Sequence, residues 1–165
     1  MPTTMYLSLG SNLGDRAATL NAAIAALPSV GVLPQKLSSF YKTAPVDYLD
    51  QPWFLNCAVQ AQTDLSPLPL LRALRSIEDH FGSKKAFAKG PRLLDIDILI
   101  YGDQSIATPE LQVPHPRMLQ RKFVLVPLAE IAPDLRHPSW PPGLTAAEAL
   151  RSTADRSEVV PFQSA

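Results

Sequence analysis

Asp95 and Asp97 are the residues of this chain best suited to do chemistry. They sit in "GPRLLDIDILIYG", Gly90 to Gly102, where every other residue from Leu93 to Tyr101 is apolar or aromatic. In an extended strand, residues two apart share a face. Both carboxylates therefore point one way, while Leu94, Ile96, Ile98 and Ile100 point into a core. Neighbouring carboxylates repel, and burying them unpaired is costly. Two arrangements meet that constraint: a solvated face with Lys or Arg partners across the sheet, or a site for a hard cation that takes oxygen ligands. The surroundings weigh toward the cation. Lys84, Lys85, Lys89 and Arg92 precede the pair, and His115, Arg117, Arg121 and Lys122 follow it. Carboxylates for a divalent metal and arginine forks for phosphate oxygens are what a polyphosphate–Mg2+ complex requires.

Other chemistries find little support. "GSNLG" (Gly10 to Gly14) lacks both the Lys-Ser/Thr of a P-loop and the G-x-G-x-x-G of a dinucleotide site, and reads as a tight turn. His80, His115 and His137 show no metal-binding spacing, and no serine occupies a nucleophile elbow. Cys57 is the only cysteine. Its apolar neighbours suggest a buried, inert thiol, and a chain that cannot form an internal disulfide suits a reducing, cytoplasmic compartment. Lys plus Arg and Asp plus Glu number 15 each, a net charge of zero, which speaks against a nucleic-acid or anionic-membrane partner. The N-terminus enters a strand pattern with no basic leader, and no apolar run is long enough to cross a bilayer.

The elements that must position these residues can be read in order. At 165 residues the chain is expected to be one domain, 1–165. "MYLSLGS" reads as a first strand. Asp15 caps a helix through Leu27, with Ala17, Leu20, Ile24 and Leu27 on one face. "KLSSFYKTAPV" and "FLNCAVQAQTD" read as two strands joined by "DYLDQPW". Ser66 caps a second helix with Pro67 in its first turn, Gly82 past its end, and Leu70, Leu74, Ile77 and Phe81 as its buried stripe. The aspartate strand follows, then "VPHP", the apolar "FVLVPLAEIAP", and a short helix announced by the capping pair Thr145 and Glu148. The expected fold class is α+β: a ferredoxin-like βαββαβ sandwich, two helices on one face of a four-stranded antiparallel sheet, with a C-terminal appendage. In the tail, 153–165, "VVPF" either adds a strand or leaves the end weakly ordered. Seventeen prolines stiffen the loops between these elements.

"LSLGSNLGDR", "SSFYKTAPV", "DQPWFLNCAV", "GPRLLDIDILIYG" and "LQVPHPRMLQRKFVLVPLAEIAP" occur here in the order and spacing of the 6-hydroxymethyl-7,8-dihydropterin pyrophosphokinase family, which the chain resembles from about Met5 to Pro133. The resemblance implies a ferredoxin-like fold. It also implies transfer of pyrophosphate from ATP to the hydroxymethyl group of the reduced pterin, leaving AMP, as a step of folate biosynthesis. Two Mg2+ ions at Asp95 and Asp97 are implied, with Arg92, Ile98, His115 and Arg121 on ATP. Thr43, Ala44, Val46, Phe54, Asn56, Asp95 and Phe123 match the pterin pocket. Asp97, Arg92 and Arg121 are implied as catalytic. Glu78 matches a family glutamate, for which a structural ion pair is expected. Where the family carries an arginine after Gly82, this chain has Ser83, and Lys84 and Lys85 are expected to supply that charge. The implied partners are small molecules only, and the protein is expected to work as a monomer. Two rivals remain: another Mg-dependent phosphotransferase built on the same aspartates, and a non-catalytic pterin- or nucleotide-binding module, which has only Ser83 in its favour.

Overall fold

A computed structural model describes residues 2–45, 49–82 and 93–163. Its centre is β1 (Thr3–Ser11), buried from Met5 onward. Successive residues of this strand serve two different cores. Met5, Leu7 and Leu9 pack with Leu20 and Ala23 of α1 (Arg16–Ala26) and with Leu70, Leu74 and Ile77 of α2 (Pro67–His80). Tyr6 turns the other way, toward Ala58, Ile100 and the Val124 and Leu128 side chains of α3 (Lys122–Ile131). A strand buried on both faces reads as a near-continuous apolar run, as "MYLSL" does. The expected two-layer packing is therefore extended: α1 and α2 cover one face, and α3 with α4 (Ala146–Ser152) lies over the other.

β1 pairs antiparallel with β4 (Phe54–Thr63) on one side and with β5 (Asp95–Tyr101) on the other. Beyond β4 lie β2 (Val32–Leu37) and β3 (Tyr41–Thr43), each paired with a different half of it. The single strand expected from Lys36 to Val46 is thus two. The ladder breaks where Ser38 intervenes: its hydroxyl accepts the Ala58 N–H at 2.8 Å and donates to the Ser39 carbonyl. β2 also starts earlier than expected and runs through Pro34, beside a register shift. Proline is tolerated there because, among the described residues, β2 pairs only with β4, so a ladder donor is not required on its outer side.

A second register shift changes the aspartate strand. Leu7 pairs with Ile98 and Tyr6 with Ile100, so Leu99 is an extra residue. The bulge turns Ile100 away from the core of Ile96 and Ile98 and onto the α3 side. The expectation that Ile100 shares their face is corrected accordingly.

Capping follows the sequence with one exception. The Asp15 carboxylate accepts the Ala18 N–H, and Thr145 accepts from Glu148 N. Ser66 stands at the N-cap of α2 without a side-chain cap bond; Pro67, which has no N–H to satisfy, follows it. Leu70, Leu74 and Ile77 are buried as expected, and Phe81 packs half-buried against the same core. The "FVLVPLAEI" run is helical, with Pro127 inside α3. A ribbon of β6 (Ile106–Ala107) and β7 (Gln112–Val113) leads to a cis Val113–Pro114 bond and His115. Last comes β8 (Val159–Pro161), paired with β3. Among the described residues no helix is long and apolar enough to cross a membrane.

Candidate active site

Register decides which side chains meet. Asp95 lies opposite Gly10, Gly10 opposite Asn56, and Asn56 opposite Tyr41, one row across four strands. Next to it, Asp97 lies opposite Ser8 and Ser8 opposite Ala58. Directly opposed residues share a face. Asp95, Asp97, Asn56, Phe54 and Thr43 therefore all look toward the α3 side, which unites the expected metal ligands with most of the expected pterin set.

Gly10, which the sequence alone places in a turn, lies in the row that joins Asp95 to Asn56. A Cβ at this position would come within 2.6 Å of Asn56 Nδ2 and 3.6 Å of Phe54. The missing side chain is what lets the Asn56 amide lie across β1. That amide is almost wholly buried and is fixed from two sides: the Thr43 hydroxyl donates to Oδ1 at 2.5 Å, and Nδ2 reaches the Leu9 carbonyl at 3.4 Å. The rest of "GSNLGDR" anchors the approach to β4. Buried Asn12 donates to Gln51 Oε1 and the Pro52 carbonyl, and Arg16 donates to the Trp53 carbonyl at 2.8 Å. Phe54 follows directly, so these bonds set its entry into the sheet.

The segment holding the two aspartates is fixed by α2. Ile96, between them, donates its N–H to Glu78 Oε2 at 2.7 Å, and its carbonyl accepts from Arg75 at 3.2 Å. Arg75 and Glu78 also pair at 2.7 Å, one turn apart on the helix. The ion pair expected of Glu78 is present, with Arg75 as its partner. Burial raises the Glu78 pKa against the opposing pull of the Ile96 N–H and Arg75.

Two arginines act on the buried carboxylate. Burial, and then the negative charge of Asp95, push the Asp97 pKa up, while Arg75 and Arg121 pull it back. Arg121 also stacks on Phe123, its guanidinium carbon 5.6 Å from the ring centroid. His115 is tied to β5 through its N–H on the Leu99 carbonyl at 2.8 Å. Its imidazole pKa is lowered by burial and by Arg121 and Arg117, with Asp95 opposing. Because Nδ1 accepts the Arg117 N–H at 3.2 Å, the proton of the neutral ring is assigned to Nε2.

One expected residue stands elsewhere. Ile98, expected beside adenine, buries its side chain in the core with α1 and α2, on the face opposite the aspartates. That side chain is core packing, so any contact Ile98 makes with a nucleotide is through its backbone. Ala44 has its N–H bonded to the Glu158 carbonyl at 3.0 Å. Val46, Lys84, Lys85 and Arg92, with Ser83 and Lys89, lie outside the described residues. Cys57 is inert as expected, its thiol buried and its pKa pushed up to about 12 by desolvation.

The donor set fits a magnesium ion that arrives with phosphate. Two carboxylates side by side, one of them resisting ionisation, gain from a divalent cation. Among the described residues no three His, Cys, Asp or Glu side chains form a cage of their own. Mg2+ commonly takes one or two carboxylates and fills its remaining positions from water and substrate phosphates.

A mixed antiparallel α/β fold thus carries a carboxylate pair on the same sheet face as Asn56, Phe54 and Thr43. Residues 6–133 match the family model "7,8-dihydro-6-hydroxymethylpterin-pyrophosphokinase (HPPK)", and the chain belongs to that family. It is accordingly an enzyme of the pyrophosphokinase class. It is 47% identical over 132 residues to the Bacillus subtilis 2-amino-4-hydroxy-6-hydroxymethyldihydropteridine pyrophosphokinase, covering 79% of each chain. With the Methylorubrum extorquens protein of the same name it shares 46% over 136 residues, 81% of this chain and 85% of that one. The folic acid synthesis protein fol1 of Pneumocystis carinii is 41% identical over 160 residues, but this chain spans only 21% of its length. Among solved structures, a Plasmodium falciparum HPPK-DHPS chain with pteroate superposes with a TM-score of 0.71 at 15% identity, over 92% of this chain and 43% of that one. At that identity the likeness speaks for the fold alone.

Proposed function

We propose that the residues gathered on the α3 face carry out the pyrophosphokinase reaction on ATP and 6-hydroxymethyl-7,8-dihydropterin, as a cytoplasmic monomer with a ferredoxin-like strand order. The observation that carries this reading is the shared row of Asp95, Gly10 and Asn56. It sets a metal-type carboxylate pair beside a buried amide suited to reading a heterocycle edge. The hydroxymethyl oxygen of the pterin attacks the β-phosphorus of ATP. The bond from the β-phosphorus to the oxygen bridging it to the α-phosphorus breaks, AMP leaves, and the hydroxyl proton passes to solvent.

Asn56 offers both a donor and an acceptor to the pterin edge, and Thr43 fixes which way round the amide lies. Phe54 and Phe123 give flat apolar surfaces for the bicyclic ring. Arg121 and the Nε2–H of His115 hold phosphate oxygens, and Arg92, Lys84 and Lys85 are expected to add charge. Asp95 and Asp97 would hold two Mg2+ ions, which would supply charge neutralisation at the phosphates. No nucleophilic side chain is required, since transfer of this kind depends on positioning and electrostatics.

The test is product identity. With both substrates and Mg2+ present, AMP and the pterin diphosphate are expected, with AMP formation dependent on the reduced pterin. Release of ADP, or AMP formation independent of pterin, would point to a different phosphotransferase. Binding of both substrates without turnover would make the chain a binding module.

A further inference from the structure

The C-terminal segment lies beyond residues 6–133, which match the family model, yet it grips both sides of the proposed pterin pocket. Asp155 provides the first grip. Its Oδ2 accepts the N–H of Lys122 at 2.8 Å. That is the first N–H of α3, and Arg121, in the N-cap position, makes no side-chain cap bond. Asp155 is thus the cap of a helix that begins 33 residues earlier. Its other oxygen is held by the N–H and hydroxyl of Ser157. A negative charge at this end also suits the helix dipole. Ser157, the Lys122 N–H and the Lys122 charge keep the Asp155 pKa below the usual carboxylate range.

The second grip follows at once. The Glu158 carbonyl accepts the Ala44 N–H at 3.0 Å, Val159 pairs with Thr43, and Phe162 donates its N–H to the Phe40 carbonyl at 2.9 Å. The Phe162 ring packs against the α1/α2 core and anchors the far end. One short stretch therefore fastens the start of α3, with Arg121 and Phe123, to the end of β3, with Thr43 and Ala44.

We propose that residues 155–161 form a clamp that sets the spacing between the two walls of the pterin pocket, with Asp155 as its positioning residue. This rests on the proposed function. Asp155 touches no reacting atom; it acts through Lys122 N and the helix that follows.

Three variants of the 165-residue chain test the clamp: Asp155→Ala, Asp155→Asn and Ser157→Ala. The measurements are pterin KM and kcat, thermal unfolding, and amide exchange over 121–125. Asp155→Ala is expected to raise pterin KM on the order of tenfold, with a smaller change in kcat and faster exchange at the start of α3. Asp155→Asn keeps an acceptor and is expected to recover part of the loss. Ser157→Ala loosens the carboxylate and should shift KM in the same direction by less, which keeps the claim testable if Asp155→Ala folds poorly. Pterin KM within about twofold of wild type in both Asp155→Ala and Ser157→Ala, or a KM unchanged in the folded fraction while only unfolding temperature falls, would overturn the clamp. A wild-type protein inert toward both substrates would instead overturn the proposed function, and with it any part for the tail in turnover. Only the first failure leaves wild-type activity intact.

Discussion

Asp97 binds its proton more tightly in the folded chain than an ordinary carboxyl does, because burial and Asp95 disfavour its charge. A carboxyl whose folded pKa lies above its unfolded one contributes stability below the ordinary carboxylate range. That contribution is lost as pH rises toward the folded value. Metal-free protein is therefore expected to become less stable from about pH 4 upward, with Glu78 adding to the slope; Asp155 acts below that window, where its stabilisation is lost as pH falls. Asp97→Asn should flatten that slope in urea titrations with chelator present, and Mg2+ should flatten it in the wild type. A variant with the wild-type slope would remove Asp97 as its source. Gly10 makes a second test at this scale. In Gly10→Ala the new methyl meets Asn56 Nδ2, and the amide must leave its bonds to Thr43 and Leu9. A cost of about 1–3 kcal/mol is expected from overpacking, with pterin affinity falling further than ATP affinity. Unchanged pterin binding would show that the Asn56 orientation does not matter.

At the scale of elements, the grip of α2 on β5 explains why a glutamate is kept in a helix stripe otherwise made of Leu70, Leu74 and Ile77. Glu78→Ala leaves the Ile96 N–H without its acceptor, and a loss of about 1–3 kcal/mol is expected in urea unfolding. Arg75 is 48% exposed, so Arg75→Ala is expected to cost less, about 0–1 kcal/mol. Equal losses would mean that the ion pair, rather than the Ile96 bond, holds the strand. Elements with local signals were legible in the sequence: α1 from Asp15, α4 from Thr145 and Glu148, β1 and β4 from their apolar runs. Those set by distant partners were not. "FVLVPLAEI" is apolar on most sides and takes its cap from Asp155, so nothing nearby marks it as a helix. The bulge at Leu99 arises only from pairing with β1, which is why Ile100 looked as though it would follow Ile98. Ser38 divides β2 from β3 through a bond to Ala58, twenty residues away.

In the whole molecule, one sheet divides the work. The face under α1 and α2 is an apolar core, and the face toward α3 carries Asp95, Asp97, Asn56 and Thr43 at the end where β1 leaves the sheet. The aspartates could be read from sequence because charge in an apolar strand demands an explanation. Gly10, Asn12, Arg16 and Arg75 could not, because each owes its importance to a neighbour known only from the fold. The most direct test of the carboxylate pair as the metal-dependent centre is AMP release measured while Mg2+ is titrated, for the wild type and for Asp97→Asn, with folding of the variant checked by circular dichroism. Turnover that rises with Mg2+ in the wild type and is lost at every Mg2+ concentration in a folded Asp97→Asn is the expected result. Near-normal AMP release from that variant at ordinary Mg2+ would contradict it.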